Sequence, residues 1–528
     1  MLVKKNIIQE LIKNKTKDYE GLAMIKRKMS KALKVPCPSN IDLLEVYHNF
    51  LQEKRIKRSE ILEKLLIKRN IRSLSGVVVV SVLTKPYACP GKCIYCPTEA
   101  GIPKSYLSGE PAVERAKTLK FNPYLQTDKR IESLLKQGHP IDKIELRIIG
   151  ATWSAYPEQY RIWFIKECFR AANEFYQLKK SYSAKKKSSW KELKKEQRKN
   201  EKTKCRIVGI SIETRPDLIS PEEIINIRKY GVTMVEIGVQ TVFDDVLEKC
   251  QRGHQVKEIA EATKLLKDAG LKVMYQMMPN LPGSDLEKDF LCFQLLFNDH
   301  RFKPDWLKIY PCLVCKNSKL YQLWQRKEYK PYSDKELTEL LIEIKKIVPA
   351  WVRISRLIRD IPGFQIEAGC KISNLREIIQ KELIKRNLKC NCIRCREVKE
   401  KYDPQEKAHL LRMDYDASGG REIFLSFENK GKLFAFLRLR ICKSFLPVLK
   451  NAAIVREIHT FGQMVPVGKK SSAAQHQGLG KKLLKEAERI AKKEFRLNEV
   501  AVISGIGARD YFRKAGYRLK NEYMVKNI

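Results

Sequence analysis

The sequence predicts an α/β protein in three parts: a basic helical N-terminal region, a partial (β/α) barrel, and a smaller α+β domain at the C-terminal end. Three observations lead to this prediction. Strand-like and helix-like segments alternate through the middle of the chain, strand-like segments follow one another near its end, and its first residues are lysine-rich with helical periodicity. The length of 528 residues agrees, because domains of about 100–200 residues divide such a chain into roughly three.

The first part is predicted to cover residues 1–75. Its apolar residues recur with helical spacing, as in the segment 56–71, where leucines and isoleucines alternate with lysines. Residues 1–72 carry 18 Lys and Arg against 8 Asp and Glu, an excess of +10. We therefore expect basic helices in this region.

The second part is predicted to cover residues 76–385. It opens with the β-branched run 76–83, which is typical of a buried strand. Strand candidates then alternate with helical stretches such as 260–269, a pattern of parallel βα units, which bind ligands at the carboxyl ends of their strands. The segment 179–204 interrupts the pattern with 12 Lys and Arg against 3 Asp and Glu, so we expect a solvated, mobile insertion. The other strand candidates are residues 143–149, 206–212, 234–239, 272–277 and 306–310.

The third part is predicted to cover residues 403–528 and has a different order. Three strands come in succession, then a helix, a strand, a second helix and a last strand, with a short additional strand at 465–467 before the first helix. This order predicts an α+β fold. The segments are the strands 422–427, 433–440 and 452–460, the helix 479–495, the strand 499–504, the helix 509–514 and the strand 517–525.

The charge balance predicts a polyanionic partner. Lys and Arg number 104 against 61 Asp and Glu, a net charge of +43, and nucleic acid is favoured over lipid because no lone basic amphipathic anchor carries the excess. A uniformly lysine-rich surface is the alternative. No run approaches the ~18 apolar residues of a membrane span and no signal peptide is evident, so we expect a cytoplasmic protein without membrane association.

A first cysteine group, Cys89, Cys93 and Cys96, follows the first strand with C-x3-C-x2-C spacing. Three thiolates can hold a 4Fe-4S cluster and leave one iron open to a small chelating molecule. A structural zinc knuckle is the competing interpretation, although it would want a fourth ligand nearby. The spacing, together with Tyr95 and the βα pattern that follows, resembles the radical S-adenosylmethionine (SAM) superfamily. The resemblance implies that SAM binds the open iron and that the residues near it are Tyr95, Gly150, Thr152, Glu213 and Arg215.

A glycine-containing segment in the third part has the spacing Q-x-x-G-x-G and opens a helix. Glycines there let backbone N–H groups approach a pyrophosphate, and the helix N-terminus adds a favourable dipole. In its β-β-β-α-β-α-β context, the segment resembles the coenzyme A loop of GNAT acetyltransferases, which implies acetyl-CoA binding. The implied contacts are Gln463, Met464, Val465, Gln475, His476, Gln477, Gly478, Leu479, Gly480, Tyr511 and Phe512.

The two modules on one chain resemble the catalytic subunit of the Elongator family of tRNA-modifying enzymes, in a stand-alone form of the archaeal and bacterial kind. The segments that carry the resemblance include 85–97, 212–217, 235–241, 278–283 and 359–362. It implies that a deoxyadenosyl radical abstracts hydrogen from the acetyl methyl group and that the carbon radical adds to C5 of the wobble uridine in the tRNA anticodon stem-loop. Thioester hydrolysis would then leave a 5-carboxymethyl group, with Tyr511 and His459 as catalytic candidates.

A second cysteine group, Cys390, Cys392 and Cys395, lies in a predicted linker at residues 386–402. Three thiolates within six residues resemble a structural zinc site that lacks one ligand. Family resemblance makes Cys312 the expected fourth ligand, with Cys315 next. A second iron–sulfur cluster and free thiols stay open as alternatives.

Two rival functions remain at this point. One is a protein lysine acetyltransferase with a structural iron–sulfur domain, and the other is an RNA-binding scaffold with degenerate sites, which the intact Cys89, Cys93 and Cys96 disfavour. The leading prediction is a tRNA-modifying acyltransferase that uses SAM and acetyl-CoA. A homodimer stays open.

Overall fold

The computed structural model describes residues 2–67, 76–150, 152–177, 188–399, 406–462 and 478–528. The acetyl-CoA contacts expected at Gln463, Met464, Val465, Gln475, His476 and Gln477 lie outside these residues, as does the predicted strand 465–467. Among the described helices, none is long and apolar enough to cross a membrane.

Four helices form the N-terminal region and share a core of their own. Buried apolar residues from all four meet there, including Ile8, Leu22, Tyr47 and Leu65. Ser39 caps the third helix through a capping box with Asp42, which fixes where that helix begins. The helices are α1 (Leu2–Lys13), α2 (Tyr19–Ala32), α3 (Asn40–Gln52) and α4 (Glu60–Leu66).

A sheet of seven parallel strands forms the partial barrel, and the strands lie side by side in chain order. β-Branched and other apolar residues fill the strands, and the largest hydrophobic core packs helices against them. The strands are β1 (Val78–Leu83), β2 (Lys143–Ile149), β3 (Arg206–Thr214), β4 (Met234–Gln240), β5 (Lys272–Met277), β6 (Trp306–Ile309) and β7 (Arg353–Arg356). The associated helices are α5 (Pro111–Thr118), α6 (Pro123–Lys136), α7 (Glu158–Glu174), α8 (Trp190–Asn200), α9 (Pro221–Lys229), α10 (Asp244–Lys249), α11 (Val256–Asp268), α12 (Leu286–Asn298), α13 (Lys319–Gln325), α14 (Asp334–Ile347) and α15 (Leu375–Lys385).

The predicted solvated insertion is wrong for residues 188–204, and residues 178–187 lie outside the described part. Helix α8 begins with a capping box between Ser189 and Glu192, and its Leu193 is completely buried. The Asn200 side chain donates to the Cys205 carbonyl over 3.1 Å and accepts from the Ile207 amide over 2.7 Å, which ties the helix to β3. This segment is an amphipathic helix with a small buried face, and its high lysine content makes the helix hard to recognise from the sequence.

The C-terminal sheet has the order β13-β14-β12-β11-β10-β9-β8, in which β11 and β12 run parallel and the other neighbours antiparallel. The last predicted strand is in fact a hairpin, since it turns between Lys520 and Tyr523. The strands are β8 (His409–Ala417), β9 (Gly420–Asn429), β10 (Lys432–Ile441), β11 (Ala452–Thr460), β12 (Glu499–Val502), β13 (Arg518–Lys520) and β14 (Tyr523–Asn527), and the helices are α16 (Ile393–Arg396), which precedes the sheet, α17 (Leu479–Lys493) and α18 (Arg509–Arg513).

Buried ion pairs join the two sheets. Arg456 on β11 donates a hydrogen bond to each carboxylate oxygen of Asp305, which precedes β6, over 2.5 and 2.9 Å. Arg440 on β10 donates two hydrogen bonds, of 2.9 and 2.5 Å, to one carboxylate oxygen of Asp268 at the end of α11. All four side chains are at most 2% exposed, so the two modules form one continuous packed body at this junction.

Candidate active site

A cavity of about 720 Å³ opens at the carboxyl ends of the parallel strands. Cys89, Cys93 and Cys96 all line it, together with residues from the ends of β2 to β7. The barrel therefore brings the first cysteine group to the place where parallel sheets bind ligands.

The cysteine loop is held against the barrel by specific contacts. The Ile94 amide donates to the Cys250 carbonyl over 3.1 Å, and the Cys89 Sγ lies 3.4 Å from the Thr152 hydroxyl. Gly91 lies directly against Arg215, because a Cβ atom at this glycine would come within 2.2 Å of the Arg215 Nη1. The predicted residues Thr152 and Arg215 thus touch the loop itself.

Arg252 contacts a sulfur atom of the cysteine loop. Its Nη1 donates to the Cys93 Sγ over 3.4 Å, and its Nη2 donates to the Gly238 carbonyl at the end of β4. Burial alone would raise the pKa of Cys93, but the guanidinium groups of Arg252 and Arg215 lower it below its usual value. The site consequently favours a thiolate, the form that binds metal.

A buried polar network lies deeper in the cavity. Glu213 accepts hydrogen bonds from the Tyr106 hydroxyl at 2.7 Å and the Gln276 amide at 3.2 Å, and Lys308 pairs with Glu236 and, at 3.4 Å, with Glu213. Burial by itself would lower the pKa of Lys308, but the two carboxylates raise it above its ordinary value. Lys308 therefore stays charged in the lumen of the barrel.

Gly150 differs from the other predicted SAM contacts. It adopts a φ of +122°, and a Cβ there would come within 2.2 Å of the Thr84 hydroxyl oxygen, which donates to the Gly150 carbonyl over 2.8 Å. Gly150 is not among the residues lining the cavity, whereas Tyr95, Thr152, Glu213 and Arg215 are. Its observed role is to close the turn after β2.

The second candidate site lies at the start of α17. Gly478 has a φ of +69° and is the N-cap residue of this helix. Because glycine has no side chain to cap the helix, the first backbone N–H groups are not bonded to a side chain of this residue. A Cβ on Gly480 would come within 3.0 Å of the Tyr511 hydroxyl and 3.6 Å of the Thr460 hydroxyl. Tyr511 is 43% exposed, so its hydroxyl is available beside the helix N-terminus.

Two other predicted contacts of this site are apolar and buried. Leu479 and Phe512 both belong to the core of the C-terminal sheet, where the Phe512 ring packs edge-on against Tyr511 and Tyr517. In the structure, these side chains fix the helix and the tyrosine, and their contact with acetyl-CoA stays a prediction.

His459 lies near the end of β11 between two aromatic rings. Its ring centroid is 6.1 Å from that of Phe436 and 4.5 Å from that of Phe461. Burial and the charge of Arg353 lower its pKa to about 4, so the imidazole is neutral at neutral pH. A neutral imidazole can accept a proton.

The second cysteine group forms a compact trio. The Sγ atoms of Cys390, Cys392 and Cys395 all lie within 4.8 Å of one another, which suits a single ion, whereas those of Cys89, Cys93 and Cys96, which are also in the described part, do not. The predicted fourth ligand Cys312 is not in this trio. It is buried beside Cys250, Leu281 and Tyr329 in the core behind the first cysteine loop, so its assignment to the second group is wrong.

A chain of ion pairs runs from the cavity toward β11. Arg394 lines the cavity and lies 3.9 Å from Glu397, which pairs with Arg353 at 2.7 Å. Arg353 in turn lies over the Phe461 ring, 5.8 Å from its centroid. Helix α16, which contains Cys395 and Arg394, therefore sits between the two candidate sites.

Comparison with known proteins agrees with this arrangement. Residues 84–291 match the radical SAM superfamily, residues 304–385 match the radical SAM C-terminal domain, and residues 391–517 match the acetyltransferase (GNAT) family. The tRNA uridine(34) acetyltransferase of Methanocaldococcus jannaschii is 44% identical over 544 residues, which cover 99% of this chain and 96% of the relative. Elongator complex protein 3 of Homo sapiens is 40% identical over 501 residues, which cover 89% of this chain and 87% of the relative.

The chain belongs to the Elongator catalytic subunit family. A solved structure of this family, Methanocaldococcus infernus Elp3 with an N-terminal deletion, is 43% identical to the chain and superimposes with a TM-score of 0.75. The comparison covers 86% of this chain and 100% of that one. Both modules of the Elongator-family chain therefore have the fold that the sequence predicts.

The radical SAM match implies a 4Fe-4S cluster and SAM, and the GNAT match implies acetyl-CoA. The first site fits a cluster that binds an amino acid group. Besides the three cysteines, several residues of the cavity lining have buried polar atoms without a hydrogen-bond partner within the described residues, among them Arg215 Nη1 and Gln240 Oε1. A buried donor and a buried acceptor left unpaired are suited to a ligand that carries both a carboxylate and an amine.

Sequence reasoning misses several residues of this Elongator-family site. It gives no role to Arg252, Gln276, Lys308 and Glu236. Glu236, Gln276 and Lys308 lie within β4, β5 and β6, and polar residues in strands that are otherwise mostly apolar are the signal that could identify them. Arg252 follows helix α10 and carries no such signal.

Proposed function

We propose that this Elongator-family chain modifies the wobble uridine of tRNA, using SAM and acetyl-CoA to form 5-carboxymethyluridine. The observation that carries the proposal is the presence, on one continuous body, of a three-cysteine cavity and an open helix N-terminus beside an exposed tyrosine. The name of the Methanocaldococcus jannaschii relative, 44% identical over 99% of the chain, supports the same substrate.

When bound, the cluster and SAM supply an organic radical, and acetyl-CoA supplies the two-carbon unit. The protein's own residues orient and protect these groups. Cys89, Cys93 and Cys96 would hold the cluster, while Arg215 and Gln240 would bind the polar end of SAM. The amides at Gly478 and Gly480 would bind the pyrophosphate of acetyl-CoA.

Hydrolysis of the thioester needs a polarised carbonyl or an activated water. The Tyr511 hydroxyl, exposed beside Gly480, is suited to donate a hydrogen bond to the thioester oxygen. His459 stays neutral because burial lowers its pKa to about 4, which makes it a weak base. It is suited to orient a water molecule by accepting a hydrogen bond from it.

The charge of the cavity supports an RNA substrate. Ten Lys and Arg line it against three Asp and Glu, namely Glu110, Glu213 and Asp360. A basic wall attracts phosphate groups without reading sequence, and single-stranded loops can deliver an unstacked base into a pocket. We propose that the anticodon stem-loop presents its wobble uridine here.

We propose further that Cys390, Cys392 and Cys395 bind a structural zinc ion whose fourth ligand is not Cys312. The three Sγ atoms are close enough for a tetrahedral ion, and hydrogen bonds from the two neighbouring thiols lower the pKa of Cys392. An ion there would fix α16 between the two sites.

The function is tested by anaerobic incubation of the full chain with reductant, SAM, acetyl-CoA and unmodified tRNA. We expect SAM cleavage and a carboxymethylated wobble uridine, detected by mass spectrometry of the digested tRNA. Cys93→Ala should abolish SAM cleavage, whereas Tyr511→Phe should retain it and lose the carboxymethyl product. Acetylation of protein lysines with no SAM cleavage and no modified uridine would overturn the proposal in favour of a lysine acetyltransferase.

A further inference from the structure

A single exposed aromatic ring stands at the rim of the cavity. Phe364 is 76% exposed, the largest exposed fraction among the large apolar side chains of the described residues. It lies in a short 3-10 helix, Gly363–Gln365, three residues after Ile361, which lines the cavity. A side chain this exposed contributes little to the core and is free to contact a ligand.

The rim loop that carries Phe364 is held rigidly. Arg359 donates to the Ser105 hydroxyl over 2.9 Å and to the Ser105 backbone carbonyl. The side-chain amide of Gln365 donates to the Ser108 carbonyl over 3.2 Å. Beyond the ring, the Val314 amide donates to the Ala368 carbonyl over 3.0 Å. The loop is therefore anchored on both sides of Phe364.

The ring itself rests on a glycine. A Cβ at Gly109 would come within 2.9 Å of the Phe364 Cζ, so a larger residue there would push the ring away. Gly109 adjoins Glu110, which lines the cavity, and its φ of +87° favours glycine for a second reason. The ring is thus supported at one edge and presented to solvent at the cavity mouth.

The surroundings of the ring identify the partner chemistry. Two arginines that line the cavity are close to Phe364 in sequence, Arg356 at the end of β7 and Arg359 on the loop that follows, and the cavity as a whole has ten cations against three acids. One aromatic ring in a basic rim is the combination that binds single-stranded nucleic acid, where the ring stacks a base and the cations hold the phosphates. A protein partner would instead need a contiguous apolar patch, and no other exposed large apolar residue lies between residues 355 and 370.

We infer that Phe364 stacks on a nucleotide next to the target uridine when that uridine enters the cavity. This inference rests on the proposed function. Phe364 is a positioning residue. Its ring contacts the base next to the target uridine and keeps the RNA loop open, so that the uridine is free to turn into the cavity. The chemistry of the ligand is therefore a single-stranded RNA loop.

The test measures binding of an anticodon stem-loop RNA to the full chain. Phe364→Ala should weaken binding by about 5- to 150-fold, the equivalent of one stacked base, while Phe364→Trp should bind about as tightly as the unaltered protein. The slope of log affinity against log salt should not change, because the substitution removes no cation that binds a phosphate. Phe445→Ala, which removes an exposed phenylalanine from the segment between β10 and β11 of the C-terminal module, is the matched control and should have no effect.

A spectroscopic readout separates stacking from general binding. Two RNAs are used, one with 2-aminopurine on the 3′ side of the target uridine and one with it on the 5′ side. At saturating protein, the unaltered protein and Phe364→Trp should quench the fluorescence of one of these two probes. Phe364→Ala should quench neither. Equal affinity and equal quenching for Phe364→Ala would overturn the inference alone. Failure of the unaltered protein to bind the RNA would overturn the proposed function together with it.

Discussion

The guanidinium of Arg252 donates a hydrogen bond to the Sγ atom of Cys93 over 3.4 Å, although the two residues are 159 positions apart. Both groups are buried, and Arg252 is fixed from its other side by the Gly238 carbonyl. A hydrogen bond to a cluster sulfur stabilises the more negative, reduced state, so it raises the reduction potential. The barrel thereby adjusts the electronic properties of the site through a residue that is not a ligand.

We expect Arg252→Gln to lower the reduction potential of the reconstituted cluster and to slow SAM cleavage by about 10- to 100-fold, the usual cost of removing an outer-shell partner. Redox titration followed by electron paramagnetic resonance measures the potential directly. Arg115→Gln is the control, because Arg115 lines the same cavity but donates to the Ser81 carbonyl over 3.0 Å instead of to sulfur. An unchanged potential in Arg252→Gln would contradict the assignment.

The junction of the two sheets yields a prediction about stability. Asp305 accepts two hydrogen bonds from Arg456, and neither side chain is exposed, so Asp305→Asn removes a carboxylate charge from a buried guanidinium that otherwise pairs with Glu422. We expect a loss of about 3–5 kcal/mol in the free energy of unfolding, seen as a lower denaturation midpoint. Glu328→Gln, which breaks the exposed pair with Arg326, should leave the midpoint nearly unchanged. Similar midpoints for both variants would argue against a stabilising role of the junction.

Parts of the fold follow directly from the sequence, and two strands do not. The strands β2 and β5 have the predicted bounds because buried apolar residues recur along them, at every second position of β2 and at four of the six positions of β5. In contrast, Ile354 is the one buried residue of β7, which has an arginine at each end, and most of the edge strand β8 is exposed. Neither strand has the apolar pattern on which sequence prediction depends.

The same reasoning explains what could be predicted of the site. The cysteines of each group lie close together in sequence, so their spacing reveals them. Arg252 and Cys93 meet only because the chain folds, and no local pattern indicates such a contact. Family resemblance assigns Cys312 to the wrong group because it gives no distance, and the fold takes this residue to the core behind the first cysteine loop.

The N-terminal helices yield a prediction about RNA affinity. Residues 1–72 carry an excess of +10 charges, and α1 to α4 have their own core, so the remaining modules should fold without them. Deletion of residues 1–72 should weaken tRNA binding and lower the steepness of its salt dependence by about 0.9 for each phosphate group that these helices neutralise. Filter binding over a range of salt concentrations measures both quantities, and iron content shows that the cluster still assembles. Unchanged affinity and slope would place the RNA-binding charges elsewhere.

The titration of His459 yields a prediction about pH. Its pKa is about 4 in the folded protein, and its ordinary value is about 6.5, so the unfolded chain binds more protons between these limits. The contribution of His459 to the free energy of unfolding should therefore be complete above about pH 6.5 and should decline as the pH falls from about 6.5 toward 4. The difference in denaturation midpoint between the unaltered protein and His459→Gln, measured across this range, isolates the contribution. A difference that does not vary with pH would contradict a buried, neutral imidazole.

Metal removal tests the proposed zinc site through the helix that it fixes. Helix α16 contacts both modules: the Ile393 amide donates to the Val352 carbonyl over 2.9 Å, and Arg396 pairs with Glu428 on β9. If an ion holds Cys390, Cys392 and Cys395 together, its removal should loosen this connection while the loop of Cys89, Cys93 and Cys96 keeps its iron. We expect about one zinc ion per chain by elemental analysis, and none in Cys392→Ser.

The Cys392→Ser variant should retain its iron, and its rate of amide hydrogen exchange should rise more in residues 390–398 than in β3 or β4. Cys370→Ser is the matched control, because Cys370 is buried in the same core but lies outside the trio. Zinc retained in Cys392→Ser, or absent equally from Cys370→Ser, would show that the ion is bound elsewhere. Loss of iron together with zinc would mean instead that the two cysteine groups depend on each other, because α16 supplies Arg394 to the cavity wall that surrounds the cluster loop.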